Sequence, residues 1–169
     1  MIARQSSAVW RACGRTAGTS ATPKSSCAAY GARRGRNAGH EARVPKYLLD
    51  SDVIIEWLRR NEGIVAWLQE HDAAGEFLAC TPVSVAEIYA GLRPREEFFV
   101  GEILRIVHCV EMNERIGHKA GTYIYTFRRS HGVEIADALI AASAHVHGLT
   151  LCSRNLRHYP MRDVKKLRL

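Results

Sequence analysis

Between residues 46 and 169, short apolar runs alternate with stretches whose apolar residues recur at helical spacing, and that alternation leaves the chain few ways to fold. Residues 46–49, 77–81, 106–111 and 149–152 read as buried strands, and 164–169 as a last one. Helices are expected between them. One runs through Ile54, Trp57 and Leu58, another through Ile64, Trp67 and Leu68, and a third spans 85–92 after a turn begun by Pro82. Further helices cover 96–105, 114–129 (broken by Ser130-His-Gly132) and 135–147 (closed by Gly148). Strands of this texture, separated by helices, pair in parallel, so the predicted class is α/β with a helix-covered sheet. Sites in such folds form beyond the carboxyl ends of the strands. Asp50, the segment 81–87 and the segment 153–155 all follow predicted strands and can meet there.

Three acids stand inside these apolar frames: Asp50 in Leu48-Leu-Asp-Ser-Asp-Val53, Glu87 in Val83-Ser-Val-Ala-Glu-Ile-Tyr89, and Asp137 in Ile135-Ala-Asp-Ala-Leu-Ile-Ala-Ala142. A carboxylate in a core-forming run is costly unless it is paired or binds a metal. Two like charges 4 Å apart repel by about 4 kcal/mol even at an effective dielectric near 20. A site that gathers all three therefore calls for cations, and hard divalent ions with oxygen ligands suit it. Metal-assisted phosphodiester cleavage is the chemistry this suggests.

Charge is distributed unevenly. Residues 1–46 hold nine Lys/Arg against one acid, Glu41, while the whole chain is +7, so residues 47–169 carry one net negative charge. The basic character belongs to the N-terminal segment, and nucleic-acid binding cannot be argued for the rest from net charge. Residues 1–45 are rich in Ala, Gly, Ser, Thr and Arg and are expected to form a disordered tail, either translated upstream sequence or a targeting segment. The folded domain is expected over 46–169. Five cysteines without a C-x-x-C pair point to a reduced, cytoplasmic interior rather than a zinc site. No apolar run approaches the roughly 20 residues that span a bilayer.

Four blocks in order resemble the PIN-domain family, in particular its VapC-like ribonuclease toxins. Leu48-Leu-Asp-Ser-Asp-Val53 is similar to the family's opening strand and acidic turn, residues 84–91 to its Ser-x-x-Glu helix, and residues 135–142 to its Ile-x-Asp-Ala-Leu-Ile-Ala-Ala block. Cys152-Ser-Arg-Asn-Leu-Arg-His-Tyr159 is similar to its strand entering Thr-x-Asn-x-x-His-Phe. The resemblance implies a three-layer α/β fold and a Mg²⁺- or Mn²⁺-dependent endoribonuclease whose metal ligands are Asp50, Glu87 and Asp137. It also implies a cognate antitoxin protein and a homodimer. Asn155 stands where some members have an acid, and Ser153 stands where Thr is common; both join the candidate catalytic set, Ser153 as a group that orients water.

Each residue also has a plainer reading. Asp50 suits a helix N-cap, although Ser51 or Asp52 can cap as well. Asp52 reads as a cap or an outer hydrogen-bonding group. Ser84-Val-Ala-Glu87 has the spacing of a capping box. Asp137 has the weakest plain account, and Glu134 is an ordinary first-turn acid. His145 and His147 face different ways and suit a helix C-terminus, while Arg154, Arg157 and Lys165 are candidates for phosphate contacts or for a solvated basic face. Tyr89, Tyr123, Tyr125 and Tyr159 are candidates for base stacking or for the core. Two rival functions stand beside the nuclease. Asp50-Ser-Asp52 fits the nucleophile motif of haloacid-dehalogenase-type phosphatases, but that family's later Gly-Asp pattern is missing. An inactive PIN-like domain that binds RNA or protein is the other.

Overall fold

The structure, a computed structural model, describes residues 45–93 and 96–169. The basic N-terminal segment, with Cys13 and Cys27, lies outside the described residues except for Pro45, which opens the first strand. In chain order the elements are β1 (Pro45–Leu49), α1 (Ser51–Leu58), α2 (Glu62–Ala73), β2 (Phe77–Cys80), α3 (Pro82–Ala90) and α4 (Glu97–Ile106). They continue with β3 (His108–Cys109), α5 (Glu114–His131), α6 (Ile135–His147), β4 (Thr150–Ser153), a 3-10 turn at Leu156–His158, and β5 (Lys166–Arg168).

The five strands form one sheet in the order β3-β2-β1-β4-β5, and all neighbours run parallel. From β1 the chain builds β2 and then β3 on one side, and it returns past β1 to add β4 and β5 on the other. Right-handed crossovers in opposite directions place their helices on opposite faces, which yields the three layers expected. Pleating divides the central strand between them. Leu48 joins Ala79 and Leu151 in a core closed by Ile116, Ala120 and Tyr123 of α5 and by Ala138, Ile140, Ala141 and Ala144 of α6. Leu49 points the other way, toward the side where Val53, Ile54, Trp57 and Leu68 are buried. Each such aliphatic side chain contributes roughly 1.5–3 kcal/mol on burial. The run of alanines lets α6 lie close to the sheet.

Helix ends explain much of the local sequence. Gly132 and Gly148 terminate α5 and α6 in the left-handed region, at φ 66° and 69°, where a side chain would be strained. Both were expected as breaks. Two expectations need correction. The strand predicted over 106–111 shrinks to two residues, because Ile106 completes α4. The helix predicted over 85–92 starts three residues earlier, with Thr81 as its cap and Pro82 in its first turn.

This topology positions a site. Leu49 registers with Cys152, and the Asp50 N–H donates to the Cys152 carbonyl at 2.9 Å. Asp50 and Ser153 thus leave the sheet side by side at the β1–β4 seam, where the direction of building reverses. Among the described residues, no helix is long and apolar enough to cross a membrane.

Candidate active site

Asp50 lies just past β1 and caps α1. Its Oδ1 accepts the Ser51 N–H at 2.8 Å, and its Oδ2 accepts the Tyr159 hydroxyl at 2.7 Å. Only 7% of Asp50 and 1% of Tyr159 is exposed, so the bond is shielded from water. Lys166 braces the tyrosine from β5 by donating to the carbonyls of Tyr159 and Met161 at 2.7 and 2.8 Å. Burial pushes the Tyr159 hydroxyl well above its ordinary pKa, and the charges of Asp50, Asp137 and Asp52 add to the shift. The phenol therefore remains a donor, set among three carboxylates.

Asp52 is neither the cap nor a solvated acid. Its Oδ2 accepts the Ser153 hydroxyl at 3.2 Å and the Arg154 N–H at 3.0 Å, linking α1 to the segment that follows β4. Ser153 Oγ accepts the Asn155 N–H at 3.0 Å, so the link extends one residue further. Asp52 Oδ1 is buried and has no hydrogen-bond partner among the described residues. Burial, and then the charge of Asp50, raises the Asp52 pKa above the usual carboxylate range.

Asp137 opens α6 and is half-buried. It performs the capping role that the sequence suggested for Glu87: with Glu134 it forms a capping box, and its Oδ2 accepts the Glu134 N–H at 3.4 Å. Its Oδ1 lies 3.5 Å from His158 Nδ1. His158 Nε2 is 3.0 Å from the Asn155 amide Nδ2, so Asn155 donates and the Nδ1 proton faces Asp137. Burial raises the Asp137 pKa, His158 opposes that shift, and Asp50 adds to it. Asp50, Asp137, Ser153 and Asn155 thus gather at one end of the sheet, together with Asp52, Tyr159 and His158.

Glu87 stands apart from this bonded group. The Ser84–Glu87 capping box does not form, because Ser84 lies inside α3 and Thr81 is the cap. Thr81 Oγ1 accepts the Ser84 N–H at 3.0 Å and lies 2.9 Å from Ser84 Oγ. Glu87 sits half-buried one turn further on, and among the described residues no hydrogen bond or ion pair engages its carboxylate. Elsewhere, His145 meets the Asp163 carbonyl and His147 the Glu111 carbonyl, in keeping with their structural reading. Tyr123 is buried and donates to Asp163, while Tyr89 and Tyr125 are exposed. Arg154 reaches Glu56 at 3.1 Å, and Arg157 and Lys165 are exposed.

The site can be tested against a divalent ion on its own chemistry. As the side chains lie, no three His, Cys, Asp or Glu groups among the described residues stand close enough to share one ion. Each of Asp50, Asp52 and Asp137 rests on protein donors instead. The donor set nevertheless suits a hard cation. It is made of carboxylate, hydroxyl and amide oxygens, the charge of Asp50 raises the proton affinity of both Asp52 and Asp137, and it includes the Asp52 oxygen left unpartnered among the described residues.

Comparison with known proteins bears on the family and the fold. Residues 47–166 match the family model described as PIN domain. Ribonuclease VapC10 of Mycobacterium tuberculosis is 39% identical over 118 residues, covering 68% of this chain and 86% of that protein. Among solved structures, VapBC2 from Rickettsia felis bound to a DNA fragment from its promoter superposes with a TM-score of 0.63 at 15% identity, covering 73% of this chain and 98% of that one. A toxin–antitoxin complex from Klebsiella pneumoniae gives a TM-score of 0.56 at 19% identity, covering 70% and 95%. At such identities the two structures speak to the fold alone.

Proposed function

Since this chain belongs to the PIN domain family, we propose that it is a divalent-metal-dependent endoribonuclease that acts in the cytoplasm as the toxin of a toxin–antitoxin pair. The observation that carries this reading is the meeting of Asp50, Asp137, Ser153 and Asn155, from distant parts of the sequence, at one end of the sheet, linked through Tyr159, Asp52 and His158. Likeness to a ribonuclease at 39% identity supports the choice of RNA as substrate.

Asp50, Glu87 and Asp137 would hold Mg²⁺ or Mn²⁺, and the bound ion would supply the charge stabilisation and water activation that phosphodiester hydrolysis requires. The protein contributes the frame. Tyr159 fixes the orientation of Asp50, and the Asp52 bonds fix the Ser153 hydroxyl that orients the attacking water. Asn155 offers a neutral oxygen and holds His158 against Asp137. Arg154 and Arg157 are the candidates for contacts to phosphates beside the scissile one. Tyr89 and Tyr125 have free faces on which unpaired bases can stack, whereas Tyr123 and Tyr159 do not. An acidic pocket of this kind attracts a cationic side chain, so the antitoxin is expected to place Arg or Lys there. Self-association as a homodimer belongs to the same reading.

The test uses purified protein and single-stranded RNA with and without Mg²⁺ or Mn²⁺. Cleavage should require the ion and should vanish in Asp50→Asn and in Asp137→Asn, both still folded. Full activity in either variant refutes the reading. RNA binding without cleavage would instead mark a binding module. Expression of the chain alone should arrest growth, and co-expression of its partner should relieve the arrest; harmless expression of an active nuclease would remove the toxin role.

A further inference from the structure

Two of the bonds described above lead to Asp52, a residue with no part in the ligand set proposed for the ion. Its Oδ2 is occupied by Ser153 and Arg154, which is reason enough for an acceptor at this position. An amide oxygen would serve as well. The charge is what lacks a structural account. Asp52 sits two residues from Asp50 and buries Oδ1 without a hydrogen-bond partner among the described residues. A carboxylate oxygen shut away in that manner is costly unless a cation compensates it. Among the described residues no Lys or Arg side chain does so: Arg154 offers Asp52 its backbone N–H and directs its guanidinium to Glu56. At the end of β4, Ser153 and Arg154 bring neutral donors to Asp52, a hydroxyl and a backbone N–H.

We propose that Asp52 is a positioning residue of the ion-binding centre that also supplies negative charge to the β4 side, where Ser153 and Asn155 supply none. This rests on the metal-dependent reading above and goes beyond it by giving Asp52 two separable roles. Position comes from Oδ2, through Ser153 and Arg154. Charge comes from the carboxylate as a whole, with Oδ1 free to face the cation directly or through water. Outer partners of this kind typically change metal affinity ten- to hundredfold when altered.

The two roles separate by substitution. Asp52→Asn keeps an acceptor for Ser153 and Arg154 but removes the charge, whereas Asp52→Ala removes both. The readout is equilibrium Mn²⁺ binding to the full chain, measured by titration calorimetry and by the loss of the free-ion resonance signal. Asp52→Asn should bind Mn²⁺ about tenfold or more weakly than wild type, with an unchanged circular dichroism spectrum and no loss of thermal stability in chelator. Asn155→Asp, added to Asp52→Asn, should recover most of that affinity, because Asn155 lies at the far end of the same hydrogen-bonded segment. Wild-type affinity in Asp52→Asn overturns the proposal, and failure of Asn155→Asp to recover affinity overturns the charge role. If the wild-type chain itself binds no Mn²⁺, the metal-dependent reading fails and takes the proposal with it, an outcome distinct from a defect confined to the variants.

Discussion

Removing one oxygen atom probes the centre of the site. Tyr159→Phe keeps the ring in its buried seat and deletes only the hydroxyl that donates to Asp50 Oδ2 at 2.7 Å. Both residues are almost wholly buried, so water cannot readily take the place of the lost donor. A hydrogen bond to a charged acceptor is worth about 1.5–3 kcal/mol, and Asp50 would retain only the Ser51 N–H on its other oxygen. The expected loss is about 2 kcal/mol, roughly thirtyfold in the folding equilibrium. Urea unfolding of the full chain at pH 7 in chelator should show a lower midpoint with an unchanged slope. Packing and hydrogen bonding are distinguished by repeating the change in an Asp50→Asn background. There the bond is between neutral groups, and the cost should fall by about 1 kcal/mol. A loss below about 0.5 kcal/mol in the wild-type background, or an equal loss in both, would show that the hydroxyl does not restrain Asp50.

Other outcomes follow from Asp137 and from the start of α3. Burial raises the Asp137 pKa in the folded state, so the unfolded chain gives up its proton first as pH rises past the ordinary value of 3.8. Wild-type stability should therefore fall across the window from that value to the raised one and carry the full penalty above it. Asp137→Asn, which keeps an acceptor for the Glu134 N–H, should match wild type below the window and be more stable above it in metal-free buffer. A variant less stable at neutral pH refutes the argument. Because Thr81 is the cap of α3, Thr81→Ala should cost about 1 kcal/mol in thermal unfolding while Glu87→Gln is nearly silent there. Glu87→Gln should nonetheless abolish RNA cleavage, and retained cleavage would remove Glu87 from the ligand set.

The architecture was legible because it depends on features that a sequence states directly. Continuous apolar strands, Pro82 at a helix start, and Gly132 and Gly148 at helix ends each act through local sterics or burial. The boundary at Ile106 was not legible, since an apolar residue between a helix and a strand suits either and packing decides. The capping box is the instructive error. Ser84 and Glu87 have the correct spacing, yet Thr81 is a better-placed cap because Pro82 directly follows it, and the true box joins Glu134 to Asp137. Its first member is Glu rather than Ser or Thr, so the usual pattern misses it. At the site, the positions of Asp50, Asp137, Ser153 and Asn155 could be read from their frames. The bonds from Tyr159 to Asp50 and from Asp52 to Ser153 span 109 and 101 residues and are properties of the sheet order alone. A tyrosine that follows a polar turn carries no sign of where its hydroxyl points.

That sheet order has a consequence in time. Asp50 and Glu87 emerge early from a ribosome, but β4 is the strand that seats Asp50 from the other side, and Tyr159 and Lys166 come later still. At about 5–20 residues per second, Ser153 follows Asp50 by roughly 5–20 s. Until then the nascent chain has three of its five strands and the site's carboxylates, without β4 and Tyr159 to hold them in register. An activity assembled across this seam is withheld from the translating ribosome until β4 and the Tyr159 segment have been made. On the toxin–antitoxin reading proposed above, that interval is time in which the restraining partner can be made.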